Sequence, residues 1–139
     1  MHAPRLRWLA GSLLLCLLAG CASTGSQMSA LDRAQTAWSA AIRWNDFDTA
    51  WQLVDPDYRA AHPRNEVEIE RYKQIQVTGY TDRGSVAGPE TATREIDIGV
   101  VNRHTMAERT LRHTERWRYD PAAKTWWVEG GLPDFWAGE

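Results

Sequence analysis

The chain has 139 residues, 43% of them hydrophobic and 24% charged, with a formal net charge of −2. That length suits one domain with a proper core and is too short for two. Sixteen basic residues against 18 acidic ones leave no cationic surplus to neutralise phosphates, so nucleic acid is not an expected partner.

The N-terminus has three parts: Arg5 and Arg7, an apolar stretch from Trp8 to Ala19, and the small residues Ala19 and Gly20 just before Cys21. A basic start, a short apolar run and a small-residue cleavage point are the parts of an export signal. The apolar run is about a dozen residues long, whereas a helix needs roughly 20 to cross the hydrocarbon core, which argues for removal over a permanent span. Leu18-Ala19-Gly20-Cys21 resembles the lipobox of bacterial lipoproteins. That resemblance implies a diacylated cysteine, cleavage before it, and acylation of the new amino group. Two or three acyl chains make a firm anchor, since each buried CH2 contributes about 0.8 kcal/mol. Ala22, in place of Asp, resembles the sorting pattern for the outer membrane. The expected address is therefore the cell envelope, at the periplasmic face of the outer membrane.

This layout predicts a signal peptide over residues 1–20, a lipidated tether over 21–28 and a single domain over 29–139. Cys16 leaves with the signal and Cys21 is consumed by lipid, so no disulfide forms within one mature chain and the core must hold the domain. Loss of Arg5 and Arg7 takes the formal charge to about −4.

Residues 23–29 are rich in Ser, Thr, Gly and Gln and read as a flexible tether. Ser29 followed by Asp32 reads as a helix start. Leu31, Ala34, Trp38, Ala41, Ile42 and Asn45 then recur at helical spacing, giving a first helix to about Trp44. Asn45-Asp46 breaks it, and Asp46 caps a second short helix that buries Phe47, Ala50, Trp51 and Val54. Asp55-Pro56 stops that one. Tyr58 to Ala61 reads as a further helical turn before His62-Pro63, and Glu66 to Tyr72 fits helix or strand, taken here as a short helix.

From Lys73 the period changes to two. Ile75 and Val77 alternate with polar residues, and Gly79, Gly84 and Gly88-Pro89 read as bends or turns. Ile96, Ile98 and Val100 alternate with Glu95, Asp97 and Gly99. Over Arg109 to Tyr119, Leu111, His113, Glu115, Trp117 and Tyr119 share one face, and Thr110, Arg112, Thr114, Arg116 and Arg118 the other. Residues 120–124 form a turn, and Thr125 to Glu129 is the last strand. Helices first and hairpin-connected strands afterwards define an α+β domain, N-terminal helices packed on a strongly curved antiparallel sheet and preceded by a signal peptide.

The order of elements, with Trp44-Asn45-Asp46-Phe47-Asp48 closing the first helix, Trp51 in the second, and strands ending in Trp117-Arg118-Tyr119-Asp120 and Trp126-Trp127-Val128, resembles the cone-shaped superfamily of nuclear transport factor two and ketosteroid isomerase. The resemblance covers roughly residues 29 to 131. It implies a pocket inside the cone, lined by the concave sheet face and the first helices. Some relatives are isomerases, dehydratases or cyclases, while others only bind or dimerise. The isomerase's tyrosine and paired aspartates have no position-by-position match here, so no catalytic residue is carried over.

Site candidates come from the residues themselves. Trp38, Trp51, Tyr58, Trp117 and Trp127 are the candidate pocket, set against the commoner role of such rings as core. His113 and Glu115 share a strand face, and with Asp97 or Glu95 nearby they make a candidate acid/base set; a pair fixing strand register is the commoner role. Tyr58 and Asp48 could add a donor and an acid. The arginine row Arg112, Arg116 and Arg118 could touch an anionic surface, although such a row more often blunts edge pairing. His62, His104 and His113 lack metal-ligand spacing, so no metal and no cofactor is expected. The tail from Gly130 to Trp136 is expected to fold back, since Phe135 and Trp136 would otherwise leave an apolar patch. The function these features suggest is a lipid-anchored binding or assembly module, with a small isomerase- or hydrolase-like enzyme and a dimeric structural subunit as the alternatives. Expected partners are membrane lipid through Cys21, a second copy of the chain, and a small molecule or envelope protein.

Overall fold

The computed structural model describes the backbone of residues 4–138 and the side chains of residues 23–138; the export-signal and lipidation residues Leu18, Ala19, Gly20 and Cys21 lie outside the described side chains. Four helices precede four strands: α1 (Pro4–Arg43), α2 (Phe47–Gln52), α3 (Pro56–Ala61), α4 (Glu66–Tyr72), β1 (Ile75–Ala87), β2 (Thr91–Asn102), β3 (Glu108–Asp120) and β4 (Thr125–Glu129). The strands form one antiparallel sheet in the order β1-β2-β3-β4. The α+β class with N-terminal helices on an antiparallel sheet is therefore the observed architecture. Among the described residues, no helix is long and apolar enough to cross a membrane.

The apolar stripe of α1 docks as its spacing predicts. Leu31, Trp38, Ala41 and Ile42 are buried against the inner sheet face, which presents Ala92, Ile96, Ile98 and Val100 from β2, Trp117 from β3 and Trp126 and Val128 from β4. The helix ends where Asn45 turns to φ 60°, a left-handed conformation that Asn tolerates better than most residues. Its amide then joins α1 to β1, donating to Ile75 O at 2.5 Å and accepting from Val77 N at 3.1 Å. Asp46, Asp55 and Asn65 cap α2, α3 and α4 by accepting from Thr49 N, Asp57 N and Glu68 N. The edge of β4 is covered by the α2–α3 junction, where Asp55 N donates to Val128 O and Val128 N to Leu53 O.

Three local expectations change. Helix α1 passes through residues 23–29, the expected flexible tether, and Ser29 and Asp32 are interior instead of a helix start. Tertiary contacts hold this extra length: Trp126 Nε1 donates to Gln27 O at 3.0 Å and Gln27 Nε2 to Pro89 O at 2.8 Å. Once a helix is nucleated, each added residue costs little, so two such bonds are enough to extend it. Second, Gly79 and Gly84 do not end β1. Both lie in a 13-residue strand at register shifts, and bulges of this kind bend a strand without terminating it. Gly79 faces Gly99 across the ladder, where a Cβ on Gly99 would stand 2.8 Å from Thr78 Oγ1. Third, α3 starts at Pro56, because proline at the first helical position supplies the right φ and lacks only an N–H that would be unpaired there. The tail does fold back, burying Leu132 and Phe135.

Candidate functional site

The structure separates the sequence candidates into a sealed polar cluster, an isolated histidine, an outer charged face and an open groove. The cluster forms because Arg94 on β2 and Glu115 on β3 are directly paired across the ladder on the inner face. Glu115 is 1% exposed. Its Oε1 accepts from Trp38 Nε1 at 3.0 Å; its Oε2 accepts from Trp117 Nε1 at 3.1 Å and from Arg94 Nε and Nη2 at 2.9 and 2.7 Å. Arg94 Nη2 also reaches Ser39 Oγ and Tyr80 Oη, at 3.1 and 3.2 Å. Trp38 and Trp117 meet edge to face with centroids 6.1 Å apart. Burial pushes the Glu115 carboxyl up, and the two indole N–H groups pull it back. Every group touching it is a pure donor, so the ionised carboxylate is the form that the cluster accommodates. Burial likewise lowers the Arg94 guanidinium, opposed by Asp82. This is a satisfied core network, and a substrate would have to displace its partners to reach the carboxylate.

The expected acid/base set is not brought together. His113 does share the inner face with Glu115, but it sits opposite Ile96, and its Nε2 is buried with no hydrogen-bond partner. Asp97 and Glu95 project from the other face of the sheet. There Asp97 is held by Arg83 Nε at 2.7 Å and Arg112 Nε at 3.1 Å, and Glu95 accepts from Thr114 Oγ1 at 2.8 Å. The hydrogen bonds from Arg112 and Arg83 depress the Asp97 carboxyl. On the same face Arg118 is bonded to Asp55, so the arginine row is largely engaged within the chain. Asp48 is tied to Arg64 at 2.8 Å.

Burial is the leading cause lowering the His113 pKa from its ordinary 6.5, with Arg116 acting the same way and Glu95 opposing. The unfolded chain therefore takes up this proton before the folded one. The stability that His113 contributes is present in full above about pH 6.5 and is lost as the pH falls through the lower folded value. His113→Phe should flatten this acid limb in urea unfolding measured between pH 7.5 and 5. Equal losses in both proteins would remove His113 from the account.

The candidate pocket residues part company. Trp38 and Trp117 are fully buried in the cluster, and Trp127 lies half-buried on the outer sheet face beside Arg118. Only Trp51 and Tyr58 line open space. They wall a groove of about 480 Å³ with His62, Tyr72, Gly131 and Asp134, between the short helices and the returning tail. Tyr58 stacks on His62 with centroids 4.2 Å apart and meets Trp51 edge-on at 6.4 Å. Gly131, at φ +84°, lets the tail pass tightly: a Cβ there would lie 2.8 Å from Tyr58 Cε1. The Tyr72 hydroxyl donates to Pro133 O at 2.9 Å, and burial raises it well above the ordinary tyrosine range.

Sequence reasoning missed Arg94 and Tyr72. Arg94 carried a readable signal, since it continues the inward face of Ile96, Ile98 and Val100 and so had to be paired inside. Tyr72 carried none, because its role depends on where the tail returns.

Fold and site together define a small α+β domain with a sealed ion-paired core and an aromatic groove at the helix–tail junction. No protein-family model matches the chain, and no curated protein matches it. Among solved structures it is similar in fold to a SEC-C motif containing protein from Rhodopseudomonas palustris, at 18% identity and a TM-score of 0.54, over 68% of this chain and 71% of that one. A protein of the NTF2-like family from Streptomyces avermitilis aligns at 16% identity and a TM-score of 0.42, over 79% of this chain and 99% of that one.

Proposed function

We propose that this chain is a lipoprotein of the bacterial cell envelope, anchored through acylated Cys21, whose α+β domain binds a ligand in the groove of Trp51, Tyr58, His62 and Tyr72. The observation that carries the binding reading is the contrast between two sets of candidates. Glu115, Trp38 and Trp117 are locked in the core with their polar atoms paired, whereas Trp51 and Tyr58 face open space. An aromatic concavity with a few polar groups is the usual form of a small-molecule site. The cone-shaped superfamily resemblance accords with this, since that fold hosts binders as well as enzymes. The anchor rests on Leu18-Ala19-Gly20-Cys21 and its basic and apolar context, and the outer-membrane address on Ala22. With residues 23–29 helical and Gln27 clasped to the domain, the domain would ride close to the bilayer.

Cys21→Ser should abolish labelling by an alkynyl fatty acid and move the protein from the membrane to the soluble fraction. Labelling that persists in the variant would sink the anchor. Native mass spectrometry of the intact protein released from detergent should reveal a retained small molecule; a clean apo dimer would favour a structural subunit instead.

A further inference from the structure

The groove carries more information than its aromatic walls. Glu68 and Asp134 both line it. Glu68 has no ion-pair partner among the described residues, and the Asp134 carboxylate accepts only the backbone N–H of Trp136, at 3.0 Å. Two guanidinium groups stand near, and among the described residues neither bonds Glu68 or Asp134. Arg64 lies 5.0 Å over the Trp51 ring and bonds Asp48, and Arg71 lies 3.9 Å over the Trp136 ring. The chain thus already places its own cations on two of the rings in this region. Unpaired carboxylates beside aromatic walls are the elements that recognise an organic ammonium group. A neutral sugar would need a free flat platform, and one face of Tyr58 is already covered by His62 and one face of Trp51 by Arg64.

We infer that the groove between α2, α3, α4 and the C-terminal tail binds an organic cation, a primary or quaternary ammonium on an apolar stem, with Trp51, Tyr58 and Tyr72 as walls and Glu68 and Asp134 as counter-charges. This inference rests on the binding-module reading and sharpens its ligand. The ammonium sits beside Glu68 and Asp134, its stem lies against the rings, and no covalent step is involved.

Calorimetric titration of the full chain in neutral detergent tests it with four probes: choline, cadaverine, the uncharged choline isostere 3,3-dimethylbutan-1-ol, and N,N′-diacetylchitobiose. Choline and cadaverine should bind at least about tenfold more tightly than the isostere, a ratio equal to about 1.4 kcal/mol. The double variant Glu68→Gln/Asp134→Asn should lose that preference while keeping its circular dichroism spectrum and melting temperature. If that variant does not fold, choline affinity in the unaltered protein should still fall as salt rises, because carboxylates near solvent are screened. Equal binding of the isostere, or binding of the disaccharide alone, overturns the cation while leaving the binding module standing. No heat with any probe, together with an apo protein in native mass spectrometry, overturns both.

Discussion

Glu115→Gln should destabilise the domain by about 3–5 kcal/mol, the range for leaving one member of a buried ion pair without its partner. The substitution keeps the volume but removes the charge that balances Arg94, and it turns an amide NH2 toward groups that are all donors. Either orientation of the amide leaves one oxygen to serve four N–H groups. Arg94→Met should cost a similar amount, because the carboxylate would remain buried with only two indoles to hold it. The two losses should not add. In Arg94→Met/Glu115→Leu neither charge remains, and the surviving cost is that of the orphaned Trp38 and Trp117 N–H groups, about 1–3 kcal/mol each, with Ser39 Oγ and Tyr80 Oη also losing Arg94 as donor. Urea unfolding of the four proteins at pH 7 measures this as a double-mutant cycle. A single-variant loss below about 1 kcal/mol would mean that water reaches the cluster.

The second large effect is expected at Phe135 in the tail, whose side chain is 0% exposed. Its ring meets Phe47 at 5.6 Å, Tyr72 at 5.7 Å and Trp136 at 6.2 Å. Phe135→Ala should cost about 3–5 kcal/mol, from lost transfer energy and from the cavity left among those rings. It should also free the Gly131–Asp134 wall of the groove, so ligand binding should weaken at temperatures where the rest of the domain is still folded. Trp136→Ala is the control. That ring is half-buried, and its removal forfeits the Arg71 contact, roughly 0.5–2 kcal/mol, and edge contacts with Tyr72 at 5.1 Å and Phe135 at 6.2 Å, but leaves no sealed cavity. Circular dichroism gives the stability and calorimetry the binding. Equal costs at Phe135 and Trp136 would refute the tail's role as a pinned wall.

Much of the fold was legible because the period of burial follows the period of the backbone. The helical spacing of Leu31, Trp38, Ala41 and Ile42 and the alternation of Ile96, Ile98 and Val100 each place a face correctly. The cap Asp46 likewise acts within three residues of itself, whereas Asp55, expected only as a helix stop, also caps α3. The errors lie where distant partners decide. Residues 23–29 are helical because Trp126 and Pro89, far along the chain, hold Gln27, and Gly79 lies inside β1 at a register shift, paired with Gly99 of β2. The site was less legible. Period two correctly put His113 and Glu115 on one face and Glu95 and Asp97 on one face of the neighbouring strand, but it cannot say whether those two faces coincide, since that depends on register.

By itself the sequence determined the export and lipidation pattern ending at Cys21 as an expectation, the helices-then-strands order, the inward and outward sets on each strand, and the return of an aromatic tail. All of these depend on local covalent pattern and on the two periods at which side chains repeat. Only the tertiary structure decided that Arg94 meets Glu115, that Asp97 faces away from His113, that Trp38 and Trp117 are sealed while Trp51 and Tyr58 stay open, and that the tail completes the groove. The physical reason is that a pairing between strands, or between a tail and a helix, is chosen by the total packing and hydrogen bonding of the whole domain, and no single segment carries that sum.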